Sequence, residues 1–334
     1  EWARRATRHY LLPRAQPDCA SRCMSAPATG LCLVEPAAFG FNAQTATTNR
    51  FQRPLPQLAA ADAAAAARRE FSALAAALRR AGIPLAIAED TPHPPKPDAV
   101  FPNNWVSFHA DGTVVLYPMH DPVRRAERRE TVIQQVKRQL DFIERRRVDL
   151  SSEEERGRFL EGTGSLVLDH RNRVAYACRS PRTDATLLAE WARLMDYEPF
   201  LFDAATPDGT PVYHTNVVMW IGTGIAGVGL EWVAPGQRDA LARRLLASGR
   251  DVLHLRGAQL QSFAGNMLEV RAPDGMRHLV MSARAAASLD AGQQAQIRRA
   301  QCEPLVAAIP VIEQLGGGSV RCMLAEVPLA GNAA

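Results

Sequence analysis

The sequence predicts an α/β fold made of repeated strand and helix modules arranged around a centre. Three observations carry this. Strand-like apolar runs alternate with helix-like segments, small polar or Gly-rich clusters stand at the strand edges, and the clusters recur at a near-regular interval. They are "FPNNW", "EGTGS", "HTN", "AGNM" and "GGGSVRC", starting at residues 101, 161, 214, 264 and 316, with "FGFNAQT" ahead of them at 39. Successive starts therefore lie 62, 60, 53, 50 and 52 residues apart. The alternative is two separate α/β domains whose spacing coincides by chance. The repeat reading makes the sharper claim, that the clusters face one axis and distant residues meet there.

The elements follow in order. Met24 and "SAPATGLCLVEPAAFGFN" run into a first strand. Residues 64–84 are Ala/Leu-rich, end in Arg79-Arg80 and meet Gly82 and Pro84 as stop signals, which predicts a helix. Residues 122–147 carry Val132, Val136, Leu140 and Ile143 at helical spacing. Helices are also expected over 182–196, 235–249 and, with a break, 284–314. Between them "TVVLYP", "GSLVLD", "RVAYACR", "VVMWIG", "GIAGVGL", "DVLHL", "NMLEV" and "HLVMSA" read as strands.

Composition narrows the function classes. With 47% hydrophobic and 22% charged residues in a 334-residue chain, this is an ordinary globular protein. A net charge of +4 is small for the length, and Arg145-Arg146-Arg147 reads as a solvated helix face rather than a nucleic-acid groove. No apolar run approaches the ~18 residues of a membrane span. Cysteines at 19, 23, 32, 178, 302 and 322 form no repeated C-x-x-C pair and fit free thiols in a reducing, cytoplasmic compartment. Residues 1–23 are Arg-rich and acid-poor without a secretory core, and read as a disordered or vestigial extension, with a transit peptide as the alternative. Residues 24–334 then read as a single domain.

Taken singly, Glu161, His214 and Cys322 are a solvated turn residue, a core histidine and a packing cysteine. Each stands in a recurring cluster, however, and together they supply a carboxylate, a proton shuttle and a nucleophile. A free thiol has a pKa of ~8.5, so it needs a neighbouring imidazolium or positive backbone N–H groups to become thiolate. Gly316–Gly318 are candidates for those N–H groups, and Arg321 for an added positive charge.

These motifs resemble the guanidino-group-modifying superfamily from about Cys32 to Leu329. The resemblance implies the pentein fold, a five-module α/β propeller with pseudo-fivefold symmetry. Asp98 in "PDAVFPNNW" is similar to the aspartate that grips the substrate's C–N head group. Glu161 matches the first acid of E-G-G-D, and Arg182 in "SPRTD" matches an arginine that binds the substrate carboxylate in relatives. His214 and Cys322 match the general acid/base and the nucleophile. Three departures stand out: Asn104 and Asn216 replace aspartates, and Gly164 replaces the last acid of E-G-G-D.

A guanidinium has only donors and calls for carboxylates. A neutral ureido group has a carbonyl acceptor and N–H donors, which an asparagine amide complements. A buried carboxylate facing that carbonyl is a mismatch of at least ~1–3 kcal/mol. The pattern is most similar to the citrulline-utilisation hydrolases, often labelled amidinotransferases, which implies citrulline converted to ornithine, ammonia and carbon dioxide. Asp98, Asn104, Arg182 and Asn216 are then substrate-binding, and Glu161 orients either the imidazole or the substrate nitrogens. No metal or other cofactor is called for. Relatives often dimerise, so a homodimer is an expectation.

Two alternatives remain. One is a guanidine hydrolase or amidinotransferase on the same triad. The other is a non-catalytic pentein, similar in fold to the ribosome anti-association factor. A papain-like protease is disfavoured because its cysteine comes first in the chain. Asn42, Thr45, Asn49 and Asn266 either line the site or cap turns.

Overall fold

A computed structural model describes residues 28–329. The extension assigned to residues 1–23 lies outside them. Strand β1 (Thr29–Glu35) leads through a long loop to helix α1 (Ala60–Arg80) and returns parallel to itself as β2 (Leu85–Glu89). Helix α1 buries Ala63, Ala67, Phe71, Leu74 and Leu78, spaced three or four apart, and carries Asp62 in its first turn and Arg79-Arg80 in its last.

The same unit then repeats. Strands β3 (Val106–Phe108), β4 (Thr113–Leu116) and β5 (Arg146–Asp149) form the next sheet, followed by β6 (Val167–Asp169), β7 (Val174–Cys178) and β8 (Glu198–Phe202). Strands β9 (Met219–Ile221), β10 (Ile225–Val228) and β11 (Asp251–His254) make another, and β12 (Leu268–Arg271), β13 (Arg277–Ser282) and β14 (Glu303–Ala307) a fourth. In each, the middle strand pairs antiparallel with the strand before it and parallel with the strand after it. The final strand β15 (Ala325–Pro328) pairs antiparallel with β1, so the end of the chain completes the first sheet. Among the described residues there are thus five three-stranded sheets. Every residue of β7 and of β10 is buried, which is why these central strands read as unbroken apolar runs rather than alternating ones.

Two expectations are corrected. The helix expected over 122–147 is interrupted: Pro122–Arg125 and Glu130–Gln139 are helical, but Arg146-Arg147 belong to β5. Only Val148 of that edge strand is buried, while Arg147 bonds Glu130 and Glu144, so a charged solvated strand had the appearance of a charged helix face. The segment 284–314 contains helices Ala283–Ser288, Ala291–Arg299 and Pro310–Gly316, with β14 between the last two. "FGFNAQT", counted with the recurring clusters, lies after β1 in the loop to α1 and precedes no sheet.

Candidate active site

The turns that open the sheets carry the chemistry. Asn104 ends the 3₁₀ turn Pro102–Asn104 before β3, and Glu161 caps the short helix Gly162–Ser165 before β6. His214 precedes the turn Thr215–Val217 before β9. Asn266 donates its backbone N–H to Phe263 just before β12, and Cys322 sits in the turn Val320–Met323 before β15. A tight turn ahead of a buried strand leaves a side chain at the sheet edge, and all five of these side chains are buried there.

Asp98, Asn104, Arg182, His214 and Cys322 line one cavity, together with Thr45, Gln52, Phe101, Arg124 and Tyr213. The cavity holds about 20 Å³, room for roughly one water molecule. A ligand larger than a water molecule therefore has to displace side chains, and three of those at Asp98 come from the loop after β1. Asn42 Nδ2 donates to Asp98 Oδ2 at 2.6 Å, Thr45 Oγ1 to the same oxygen at 3.3 Å, and Gln52 Nε2 to Oδ1 at 3.4 Å. Burial pushes the Asp98 carboxyl up, opposed by Arg124 and the Asn42 bond.

Glu161 and His214 are joined, with His214 Nε2 2.9 Å from Glu161 Oε2. The other carboxylate oxygen accepts the His120 N–H at 3.0 Å, and Arg182 Nη1 lies 3.4 Å from Oε2. Burial works to raise the Glu161 carboxyl, but Arg182, the histidine bond and Arg124 outweigh it and hold it well below the usual carboxylate range. Burial lowers His214 to about 4 against the pull of Glu161, with Arg182 and Arg124 adding to the fall. The resting imidazole is neutral at pH 7, not the imidazolium expected beside a thiolate. An ionised Glu161 can only accept, so Nε2 carries the proton and Nδ1 keeps its lone pair.

That Nδ1 edge lies over Gly164. A Cβ at Gly164 would sit 2.7 Å from Nδ1 and 2.6 Å from Asn104 Nδ2, closer than atoms tolerate. The acid missing from "EGTGS" thus has no room with His214 in this position. Gly164→Ala is expected to displace the ring and lower kcat by about 100-fold with the fold retained, measured as kcat alongside circular dichroism. Wild-type turnover in the variant would reject this account.

Around Cys322 the structure corrects part of the sequence reading. The Gly317 N–H is spent on Glu313 O, and Arg321 turns away to Leu324 O and Glu326. Two side-chain amides face the sulfur instead. Asn266 Nδ2 lies 3.3 Å from Sγ and Asn216 Nδ2 3.6 Å. Burial raises the thiol, partly offset by the Asn266 N–H, then by the Ser319 backbone and the charge of Arg321. The glycines serve packing: a Cβ at Gly316 would meet the Phe101 ring at 2.7 Å, and Gly317 adopts φ +61°.

Arg124 escaped the sequence reading. It is buried, grips Glu127 through Nε and Nη2 at 2.9 and 2.8 Å, and donates Nη1 to Asn104 Oδ1 at 2.8 Å. Burial pushes Glu127 up to about 7 against Arg124. The one sequence signal was Glu127 three residues on, within helix-pairing reach. Arg182, expected on a substrate carboxylate, reaches the cavity from the loop before helix Ala185–Met195. Its guanidinium is already shared among Glu161, Asp121, Thr48 Oγ1 and Thr45 O.

Comparison with known proteins bears on this arrangement. A profile of the family described as N,N dimethylarginine dimethylhydrolase, eukaryotic, matches residues 35–329. No curated protein matches the chain by sequence. Among solved structures it is similar to the N-terminal domain of ArgZ, an arginine dihydrolase from the ornithine-ammonia cycle in cyanobacteria, solved as a cysteine-to-serine mutant bound to substrate. That match has 13% identity and a TM-score of 0.70 and covers 90% of this chain and 98% of that one. AgrE, as a cysteine-to-alanine mutant with L-arginine, matches at 14% identity and TM-score 0.70, over 91% of this chain and 41% of the other. A dimethylarginine hydrolase (DDAH) from Pseudomonas aeruginosa, a cysteine-to-serine mutant complexed with citrulline, matches at 14% identity and TM-score 0.64, over 90% and 99%. Among the described residues no helix is long and apolar enough to cross a membrane.

Proposed function

The chain belongs to the N,N dimethylarginine dimethylhydrolase family, within the guanidino-group-modifying superfamily of cysteine-dependent C–N hydrolases, and on that premise we propose that it hydrolyses the ureido group of citrulline to ornithine, ammonia and carbon dioxide. The observation that carries this is the direction of the Asn104 amide. Its Oδ1 accepts from Arg124 and one Nδ2 hydrogen goes to Asn103 Oδ1 at 3.0 Å, which leaves the second Nδ2 hydrogen for a ligand in the cavity. A donor suits a ureido oxygen and opposes a guanidinium, which has donors only.

The chemistry proceeds from the neutral pair. His214 Nδ1 takes the Cys322 proton as sulfur attacks the ureido carbon, with Asp98 and Asn104 holding the head group. His214 returns that proton to the departing nitrogen, leaving a covalent carbamoyl thioester on Cys322. The base is then free to deprotonate a water, whose attack on the same carbon releases the thiol. If ornithine departs first, the carbamate then released breaks down to ammonia and carbon dioxide; if ammonia departs first, the ornithine carbamate breaks down to ornithine and carbon dioxide. Glu161 holds the imidazole in the Nε2–H tautomer. Arg182 takes the α-carboxylate after exchanging partners with the loop after β1.

The same reading takes the five sheets as blades of a closed ring in one domain. The pairing of β15 with β1 and the gathering of sheet-opening turns at one cavity support it.

A guanidine substrate is the second reading, favoured by the family's own description and by Asp98. Citrulline assayed beside arginine, agmatine and methylated arginine separates the two. Ornithine and ammonia are expected from citrulline at a kcat/KM at least about tenfold above any guanidine. Turnover of a guanidine with none of citrulline would reject the ureido reading.

A further inference from the structure

The two amides at the sulfur are built alike. Asn216 Nδ2 gives one hydrogen to Thr163 O at 3.1 Å and points toward Cys322 Sγ at 3.6 Å. Asn266 Nδ2 gives one hydrogen to Asn216 O at 3.0 Å and points toward the same sulfur at 3.3 Å. An amide nitrogen has two hydrogens. In each residue one is tied to a backbone carbonyl, which fixes the amide, and the other is aimed at Sγ. Both side chains are almost wholly buried, Asn266 at 0% and Asn216 at 1% exposure, so neither is swung away by solvent.

We propose that Asn216 and Asn266 form a two-amide clamp that stabilises the Cys322 thiolate, making Asn266 a catalytic residue and giving Asn216 a role on the nucleophile. The proposal rests on the assignment of Cys322 as nucleophile and not on the identity of the head group.

The Ser319 backbone and the charge of Arg321 also pull the thiol down, but the Asn266 N–H is the largest of the groups that oppose its burial, so much of the charge the sulfur develops is met by side-chain donors. The clamp also suits the protonated state. Asn266 Oδ1 lies 3.7 Å from Sγ and Asn216 Oδ1 4.0 Å, within reach of a weak S–H donor. A neutral amide can face both thiol and thiolate, whereas a carboxylate accepts from the first and repels the second. This gives Asn216 a reason beyond substrate matching: an aspartate there raises the thiol unless a cationic head group neutralises it.

The test reads the sulfur directly and needs no substrate. Purified protein is alkylated with iodoacetamide across a pH series, and the adduct at Cys322 is quantified by mass spectrometry. Asn266→Leu keeps most of the volume and removes the N–H without adding a charge. It is expected to move the midpoint of the Cys322 profile upward by at least about one unit, so alkylation below that midpoint slows about tenfold or more. Asn216→Leu provides a second reading should the first variant fail to fold, with a shift in the same direction. A merely structural role lowers Tm and leaves the pH profile in place. A folded variant of either residue whose Cys322 profile superimposes on wild type overturns the clamp. If instead Cys322→Ser retains turnover, the nucleophile assignment fails, and that result is separate from the alkylation profile.

Discussion

Cys322→Ser is expected to lower kcat by about 10⁴- to 10⁶-fold without unfolding the protein. The substitution changes one buried atom, and a hydroxyl oxygen can accept from Asn266 and Asn216 as the sulfur does. What it removes is an ionisable nucleophile. A thiol, even one raised by burial, is far more acidic than an alcohol, and the neutral His214 is too weak a base to make up the difference. Product formation from citrulline, or from whichever guanidine the wild type turns over, measures the loss, with the urea midpoint as the control for folding. Activity above about 1% of wild type in a folded variant would remove Cys322 from the chemistry.

Glu161→Gln is expected to cost about 10³- to 10⁴-fold in kcat and several kcal/mol of stability. The carboxylate is fully buried and accepts from His214, His120 N–H and Arg182. A glutamine has a single accepting oxygen. If that oxygen serves the His120 N–H, its NH₂ faces His214 and forces the proton onto Nδ1, the atom the mechanism needs free. Two buried guanidinium groups also lose a counter-charge, the kind of loss that costs about 3–5 kcal/mol. Single-turnover rates and urea midpoints read the two effects separately, and a variant within tenfold of wild type would show that Glu161 does not set the tautomer.

The acid limb of stability follows from the same pair. His214 falls from 6.5 to about 4 on folding, so between those values the unfolded chain binds the extra proton and stability drops as pH falls. Glu161, depressed in the folded state, contributes stability above its unfolded value near 4.5 and loses it progressively below. Glu127, raised by burial to about 7, binds its extra proton in the folded state over much of the same range and offsets the histidine. The share of His214 is therefore read as the difference in urea midpoint between wild type and His214→Asn, which should decline from about pH 6.5 downward; a flat difference from pH 7 to 5 would contradict the buried neutral imidazole.

Much of the fold was legible because its signals are local. The apolar runs of β7 and β10 and the Ala/Leu stripe of α1 declare themselves within a dozen residues. What misled was local too. Arg146-Arg147 on a solvated edge strand and "EPLVA" between two helices carry little burial of their own, and only pairing to β4 and β13 makes them strands. Glu161, His214 and Cys322 could be named because each sits in a turn of recognisable chemistry. Arg124 could not, since an arginine among arginines reads as solvated until three other segments close over it.

By itself the sequence determined the modular α/β plan, the order acid, histidine, cysteine, and the replacement of carboxylates by amides and a glycine around them. Only the tertiary structure decided which way those amides point, which nitrogen of His214 keeps its lone pair, and that Arg124 shares the cavity. The physical reason is range. Helix and strand periodicity are fixed by neighbours a few positions away. Hydrogen-bond direction and burial at the site are fixed by partners such as Asn216 and Cys322, 106 positions apart, that meet only when the chain has folded.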